Sequence, residues 1–209
     1  MIASQATPAA EIRILALGDS YTIGEGVALD DRWPMQLVAM LRARGSSVAA
    51  PTIVARTGWT TDELSTGIDE AGVKGTFDLV TLLVGVNNQY RGRSADEYRT
   101  QFRALLTRAI GFAGGRASRV IVISIPDWGV TPFADGRDRA RIALDIDAFN
   151  AVNRDESAHA GAPYVDVTPI SRRATSEHDL ISDDGLHPSP RMYAAWVSAM
   201  LPIVLASIG

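Results

Sequence analysis

Short apolar runs alternate along the chain with amphipathic segments of helical period. Five apolar runs predict strands, over residues 12–17, 48–55, 77–84, 119–125 and 163–167. Helical spacing and capping residues predict helices over residues 33–44, from 60 or 61, from 94 to about 112, from about 137 to 159, and from about 190 to 206. Because the predicted strands are apolar at nearly every position, both faces of the sheet are expected to be covered.

This alternation of strands and helices predicts an α/β fold. We expect a three-layer α/β/α sandwich with about five parallel strands, flavodoxin-like in its doubly wound arrangement. Since no repeat, low-complexity segment or linker interrupts the pattern, residues 1–209 are predicted to form a single domain, with residues 1–10 as a flexible N-terminus. Ligands of such folds bind outside the carboxyl ends of the strands, so the residues that follow each strand are the candidates for function.

Composition and charge narrow the range of partners. The chain has 209 residues, of which 46% are hydrophobic, and a formal net charge of −4 without a long basic run, so no nucleic-acid partner is expected. The absence of cysteine excludes disulfides, a thiolate nucleophile and a cysteine zinc site. We see no signal-peptide pattern and no apolar run of the roughly 20 residues that span a bilayer, so we expect a cytoplasmic protein without a transmembrane segment. The oligomeric state stays open.

Four polar or glycine-containing stretches stand at predicted strand ends or before the last helix. They are Gly18-Asp19-Ser20, Thr57-Gly58-Trp59, Gly85-Val86-Asn87 and Asp184-Gly185-Leu186-His187. A serine hydroxyl becomes a nucleophile when a histidine takes its proton, and that histidine needs a carboxylate to orient it. His187 is the candidate base for Ser20. Asp184, three residues before the histidine, is spaced better for the orienting role than Asp183.

Acyl transfer through a serine also needs hydrogen-bond donors that stabilise the oxyanion and a pocket that holds the substrate. The candidate donors are the backbone N–H groups of Ser20 and Gly58 and the side-chain amide of Asn87. Aromatic residues that follow predicted strands are the candidate walls of a substrate pocket, with plain packing as the alternative; they are Trp59, Tyr90 and Trp128. Arg91 is expected to be solvated.

Each of these motifs is weak when taken alone, because glycine, aspartate and serine all favour ordinary turns. Asp19 is interpreted as a loop-shaping side chain, since an aspartate nucleophile of the phosphatase kind needs a second carboxylate where Tyr21 stands. His159 is expected near a helix end, where a cation is favourable, and His178 in solvent. It is the ordered set of four motifs that indicates a catalytic site.

In this ordered set the sequence resembles the SGNH, or GDSL-type, hydrolase family, and in particular its esterase, thioesterase and lysophospholipase branch. The resemblance implies the SGNH hydrolase fold, with Ser20, Asp184 and His187 as the catalytic triad. It implies that Ser20, Gly58 and Asn87 form the oxyanion hole. Two positions depart from the family pattern: Tyr21 stands where leucine is usual, and Asn88 where an aspartate usually follows the asparagine.

The expected function is therefore a serine ester hydrolase that works through an acyl-enzyme, with no metal and no cofactor. Its small-molecule substrate is a carboxylic ester: a short-chain acyl ester, a lysophospholipid, a thioester or an acetylated sugar. A flavin- or phosphate-binding flavodoxin-like module is one alternative, with the stretch SYTIGEG as the phosphate cradle, but it leaves Asn87 and His187 without roles. A catalytically inactive member of the fold is the other. The lack of a Gly-x-Ser-x-Gly motif argues against the α/β-hydrolase fold.

Overall fold

Five parallel strands form the sheet of the computed structural model, which describes residues 11–209. The strands are β1 (Ile14–Gly18), β2 (Thr52–Ala55), β3 (Leu79–Leu83), β4 (Val120–Ile123) and β5 (Tyr164–Val165). Their order across the sheet is β2-β1-β3-β4-β5, and every neighbouring pair is parallel. The predicted α/β fold with about five parallel strands is confirmed. The prediction of a flexible segment over residues 1–10 lies outside the described residues.

The strands are shorter than the apolar runs that predicted them. Ile12 and Val48, at the starts of the first two runs, meet only in an isolated bridge. Every residue of β1, β3 and β4 is buried, which explains why these runs lack the alternation of a half-exposed strand. Strand β2 lies at the edge of the sheet and is mostly exposed or half-buried.

Eight α-helices surround the sheet in the described part of the chain. They are α1 (Ser20–Ile23), α2 (Trp33–Ala43), α3 (Thr61–Ala71), α4 (Val86–Tyr90), α5 (Ala95–Phe112), α6 (Arg139–Ala160), α7 (Thr168–Arg172) and α8 (Pro190–Ile208). The five longer helices lie close to their predicted positions. The single-turn helices α1, α4 and α7 were not predicted, because four or five residues carry no helical periodicity. Helices α3, α5 and α6 pack side by side and α2 packs on α8, as a three-layer sandwich requires.

Helix α8 differs from the expectation that no long apolar run is present. Its length and composition alone would allow it to cross a membrane. In the structure one face of α8 packs into the core, since Trp196, Met200 and Val204 are fully buried at four-residue spacing. This spacing points one apolar stripe of α8 at the interior of the sandwich.

The strand order places the candidate residues next to one another. The chain passes from β1 to β2 on one side and then to β3 on the other side of β1, which creates a topological switch point. Gly18, the last residue of β1, is level with Ala55 of β2 and Leu83 of β3. The segments that follow these three strands therefore meet at the same edge of the sheet.

Candidate active site

A sharp turn between β1 and α1 carries Ser20 at this edge. Gly18 has no room for a side chain, because a Cβ there would lie 2.2 Å from Thr22 Oγ1 and 2.5 Å from the Leu83 carbonyl oxygen. Asp19 caps α1, its Oδ1 accepting a hydrogen bond from the Tyr21 N–H at 3.1 Å. Ser20 is thus the first residue of a helix that starts directly after a buried strand.

The cap on α1 also bears on the phosphate-cradle alternative. A phosphate at a helix N-terminus needs free backbone N–H groups. Here the Asp19 carboxyl already accepts from the Tyr21 N–H. An acidic side chain thus stands where an anion would bind, which disfavours a phosphate cradle in this loop.

Asp19 itself is in an unusual environment. Its side chain is completely buried, and Oδ2 has no hydrogen-bond partner among the described residues. Burial raises the pKa of Asp19 from 3.8 to about 7, and the hydrogen bond from the Tyr21 N–H only partly offsets this. The interpretation of Asp19 as a loop-shaping residue agrees with its capping contact.

Asp184 and His187 form a tightly connected pair before α8. The Nδ1 atom of His187 is 2.6 Å from Asp184 Oδ2, and Asp184 Oδ1 accepts from the backbone N–H groups of Leu186 and His187, each at 2.9 Å. Ser182 Oγ donates to the same Oδ1 atom at 2.9 Å. Burial opposes ionisation of Asp184, but these hydrogen bonds outweigh it and lower its pKa to about 2. It is Asp184, and not Asp183, whose carboxylate contacts the imidazole.

Ser20 and His187 face the same pocket, an open cleft of about 570 Å³ that includes some bulk solvent. The lining residues are Ser20, Tyr21, Thr57, Gly58, Val86, Asn87, Tyr90, Trp128, Phe133, Leu186 and His187. No hydrogen bond joins the Ser20 hydroxyl to the His187 imidazole within residues 11–209. Such contacts are often long in a free enzyme and shorten when substrate binds.

The two further oxyanion candidates also line this pocket. Gly58 has a φ of +85°, a backbone conformation that a residue with a side chain rarely adopts. Asn87, in the first turn of α4, donates from Nδ2 to the Trp59 carbonyl oxygen at 2.9 Å. Since Nδ2 carries two hydrogens, this bond orients the amide and leaves one N–H to donate elsewhere.

Arg91 is exposed, as expected, and in addition it supports the Gly58 loop. Its Nη2 atom donates to the Gly58 carbonyl oxygen at 2.6 Å, and Nη1 pairs with Glu63 at 3.1 Å. Glu63 is in turn part of the capping box at the start of α3. These two contacts were not predicted, because the partners lie 28 and 33 residues away along the chain.

Asn88, where the family usually has aspartate, is completely buried and ties α4 to α3. Its Oδ1 accepts from the Thr61 N–H at 3.1 Å, and its Nδ2 donates to Thr61 Oγ1 at 2.7 Å. The Thr61 hydroxyl is then free to donate to Gln101. The Asn88 amide therefore bonds to both the backbone N–H and the hydroxyl of Thr61.

Tyr21, the other departure, lies beneath the candidate base. Its ring packs edge-on against His187, with ring centroids 5.7 Å apart, and against Trp196 of α8 at 6.3 Å. Burial raises the pKa of the Tyr21 hydroxyl well above its usual range, so the ring stays neutral. Tyr21 thus links the imidazole to the core through aromatic contacts.

The structure places the three aromatic wall candidates differently. Tyr90 and Trp128 line the pocket, whereas Trp59 is not among its lining residues. The Trp59 indole instead lies against α3, where a Cβ on Gly67 would come within 2.0 Å of its ring. Phe133 completes the aromatic lining and was missed, because it lies in a 3₁₀ turn well beyond the end of β4.

The other two histidines lie outside this pocket. His159, near the end of α6, has Nδ1 2.7 Å from the Asp155 carbonyl oxygen, and His178 is exposed in the loop before α8. Across residues 11–209, no group of three or more histidine, aspartate and glutamate side chains is arranged to hold a metal ion.

The fold and this cluster define a class of protein: an α/β/α sandwich with serine, histidine and aspartate side chains gathered at the carboxyl edge of its sheet. The model of the GDSL-like lipase/acylhydrolase family matches residues 16–195. The chain therefore belongs to the GDSL-like lipase/acylhydrolase family. No sequence among the curated proteins compared matches this chain.

Solved structures share the fold at low sequence identity. TesA is 17% identical with a TM-score of 0.72, over 93% of this chain and 99% of that chain. The W215I form of Axe2, an acetyl xylan esterase from Geobacillus stearothermophilus, is 17% identical with a TM-score of 0.72, over 92% and 94%. The psychrotrophic esterase EstA from Pseudoalteromonas sp. is 17% identical with a TM-score of 0.68, over 94% and 98%. These similarities confirm the SGNH hydrolase fold.

Proposed function

We propose that the chain is a serine ester hydrolase that acts through an acyl-enzyme on a carboxylic ester. The observation that carries the proposal is the convergence of three groups. Ser20 and His187 line one pocket, and the Asp184 carboxylate contacts Nδ1 of the imidazole. Membership of a family of lipases and acylhydrolases supports the same reaction class.

The first step of the proposed reaction is attack by Ser20. Its hydroxyl oxygen bonds to the ester carbonyl carbon while His187 takes the hydroxyl proton. Because Nδ1 of His187 is hydrogen-bonded to Asp184, Nε2 is the nitrogen that accepts this proton. Asp184, with a pKa of about 2, is ionised at neutral pH and stabilises the imidazolium that forms.

The carbonyl electrons move to oxygen in this step, so the pocket must stabilise an oxyanion. The remaining Nδ2–H of Asn87 and the N–H groups of Ser20 and Gly58 are the proposed donors. The contact from Arg91 to the Gly58 carbonyl and that from Asn87 to the Trp59 carbonyl keep this loop in place before substrate arrives. Such preorganisation is typically worth a factor of about 10²–10³ per donor.

The second half of the reaction returns the enzyme to its starting state. The alkoxide leaves with the proton held by His187, and the acyl group stays on Ser20. A water molecule then gives its proton to His187 and its oxygen to the acyl carbon. The C–O bond to Ser20 breaks, His187 returns its proton to the Ser20 oxygen, and the carboxylic acid leaves.

The pocket lining suggests the substrate class. Its walls are largely aromatic and aliphatic, which favours an apolar acyl or alcohol group beside the reacting carbonyl. Axe2 is described as an acetyl xylan esterase and EstA as an esterase. We therefore place short-chain acyl esters first, with acetylated sugars, thioesters and lysophospholipids as the further substrates to screen.

The deciding experiment is hydrolysis of p-nitrophenyl esters of increasing acyl length by the wild type, Ser20→Ala and His187→Ala. We expect activity that peaks at a short acyl chain and falls by about 10⁴-fold or more in both variants. Ser198→Ala and His159→Ala, at exposed helix positions, are the matched controls and keep wild-type rates. Activity that survives Ser20→Ala would contradict the proposal.

A chemical label gives an independent measurement. EstA is described as inhibited by monoethylphosphonate. If Ser20 is a nucleophile, an activated phosphonate ester should add one adduct mass to the wild type and none to Ser20→Ala. Peptide mapping that places the adduct on another residue would also contradict the proposal.

A further inference from the structure

Three aromatic residues form a cluster at the mouth of the pocket, which we call the aromatic rim: Tyr90, Trp128 and Phe133. Their ring centroids are 5.5 to 6.3 Å apart. The Trp128 indole is fixed further by donating from Nε1 to Gln89 at 2.9 Å. Tyr90 and Phe133 are 47% and 42% exposed, so the rim is reachable from solvent.

Arg137 lies over all three rings of the aromatic rim. Its guanidinium carbon is 5.2 Å from the Tyr90 ring centroid, 5.4 Å from that of Trp128 and 5.1 Å from that of Phe133. Its Nη2 atom also donates to the Tyr90 hydroxyl at 3.2 Å. Cation–π contacts with three rings hold this flexible side chain in one place beside the pocket.

The positive charge of Arg137 is not neutralised by its neighbours. Asp135 pairs with Arg139 at 2.5 Å, and Asp138 accepts from the Arg141 N–H as the cap of α6. Within residues 11–209, no carboxylate lies within ion-pair distance of the Arg137 guanidinium. Arg91, which contacts the pocket-lining Gly58, is already engaged by Glu63 and the Gly58 carbonyl.

A guanidinium held in this way is suited to one kind of ligand. Its faces contact aromatic rings, while most of its N–H donors lie free in the plane of the group. A carboxylate or phosphate matches such a fork with two parallel hydrogen bonds. In a chain with a net charge of −4, a fixed and unpaired cation at the mouth of the pocket would select among substrates by their charge.

We propose that Arg137, held on the aromatic rim, is a specificity-determining residue that binds an anionic group, carboxylate or phosphate, of the ester substrate. The inference rests on the proposed ester hydrolysis and refines its substrate class. The preferred substrate is an ester whose acyl or alcohol part bears a negative charge a short distance from the reacting carbonyl. A neutral ester of the same size binds the pocket without this contact.

The test compares esters matched in size that differ in charge. On the acyl side, the p-nitrophenyl monoester of glutaric acid is paired with its methyl-capped form. On the alcohol side, 4-carboxyphenyl acetate is paired with 4-carbamoylphenyl acetate, and 4-(phosphonooxy)phenyl acetate, which is also a carboxylic ester, extends the set to phosphate. We expect the wild type to prefer the anionic member of at least one pair about tenfold in kcat/KM, mainly through KM.

Arg137→Gln removes the charge, and Arg141→Gln removes a charge four residues away whose partner is Asp145. We expect the preference to fall about tenfold in Arg137→Gln, to weaken with added salt, and to persist in Arg141→Gln. A wild type without any charge preference would overturn the inference. So would an Arg137→Gln variant in which both members of each pair lose activity equally, since Arg137 would then only brace the rim.

A binding measurement separates this inference from the proposed reaction. Isothermal titration calorimetry measures the binding of 4-nitrobenzoate and of 4-nitrobenzamide to the protein and needs no turnover. Tighter binding of the anion by the wild type, lost in Arg137→Gln, supports the anion site even if no ester is hydrolysed and the proposed function fails. Equal binding of the two probes overturns the anion site even if esters are hydrolysed.

Discussion

The Asp184 carboxylate accepts four hydrogen bonds, and its role can be tested at the level of single atoms. Oδ1 accepts from the backbone N–H groups of Leu186 and His187 and from the Ser182 hydroxyl. Oδ2 accepts from the His187 imidazole. The first three fix the carboxyl group within its own loop. The fourth determines which imidazole nitrogen carries a proton.

Asp184→Asn should abolish most activity while leaving the loop folded. An amide N–H in place of Oδ2 cannot accept from Nδ1, so the imidazole adopts the tautomer whose Nε2 is protonated and cannot act as a base. We expect kcat to fall by about 10³–10⁴-fold for the best p-nitrophenyl ester. Asp183→Asn, one residue away and exposed, is the control and should keep wild-type kcat. Equal losses in the two variants would contradict the assignment.

At the scale of elements, the short helix α4 carries two asparagines with different tasks. Asn87 lines the pocket, whereas Asn88 is buried and bonded to Thr61 at the start of α3. One-turn helices have little stability of their own, so α4 depends on such tertiary contacts. Adjacent residues of the same type therefore provide a matched pair for separating catalysis from folding.

Asn87→Ala should lower kcat by about 10²–10³-fold with a small change in the free energy of unfolding, because the proposed oxyanion donor is lost. Asn88→Ala should lower the free energy of unfolding by about 1–3 kcal/mol, because the buried Thr61 N–H loses its acceptor. Urea denaturation and kcat measured on both variants check the two effects. If the larger kinetic loss appeared in Asn88→Ala, the assignment of the two side chains would be reversed.

These elements also show which parts of the candidate site could be predicted from the sequence. The β1 turn was predictable because Gly18, Asp19 and Ser20 follow a buried strand, and parallel strands bring such ends together. Asp184 and His187 were predictable because their contact spans only three residues. The place of Trp59 was not, since it depends on its fit against Gly67 of α3.

The contacts at the mouth of the pocket could not be predicted from the sequence either, because they join residues that are far apart along the chain. Arg137 and Tyr90 are 47 residues apart, and their contact depends on the path of the loop between β4 and α6. Neither residue has a periodic or motif signal that pairs it with the other. Contacts between loops of this kind are set by three-dimensional packing, which the local pattern of apolar and polar residues does not encode.

At the scale of the whole molecule, folding shifts the pKa values of two buried carboxyl groups in opposite directions. Hydrogen bonds from Arg103 and Arg99 lower the pKa of Glu156 from 4.5 to about 2, although burial opposes them, and these contacts join α5 to α6. Burial raises the pKa of Asp19 from 3.8 to about 7 beside the candidate nucleophile. Glu156 therefore stabilises the folded state when it is charged, whereas Asp19 does so when it is neutral.

The pH dependence of unfolding follows from these signs. The contribution of Glu156 is complete above about pH 4.5 and is lost as pH falls toward 2. That of Asp19 is complete below about pH 4 and is lost as pH rises toward 7, because the unfolded state can then release the Asp19 proton while the folded state keeps the buried carboxyl protonated. For these two groups together, we expect the free energy of unfolding to be greatest near pH 4–5.

Two isosteric variants test the two sides of this curve by urea denaturation between pH 3 and 8. Asp19→Asn, which cannot ionise, should reduce the decline above pH 5, by roughly 2–4 kcal/mol at pH 8 relative to pH 5. Glu156→Gln should reduce the decline below pH 4.5 and leave the alkaline side unchanged. A wild-type curve that is flat from pH 5 to 8 would show that Asp19 ionises without cost. The buried Asp19 beside the candidate nucleophile would then not lower the free energy of unfolding at neutral pH.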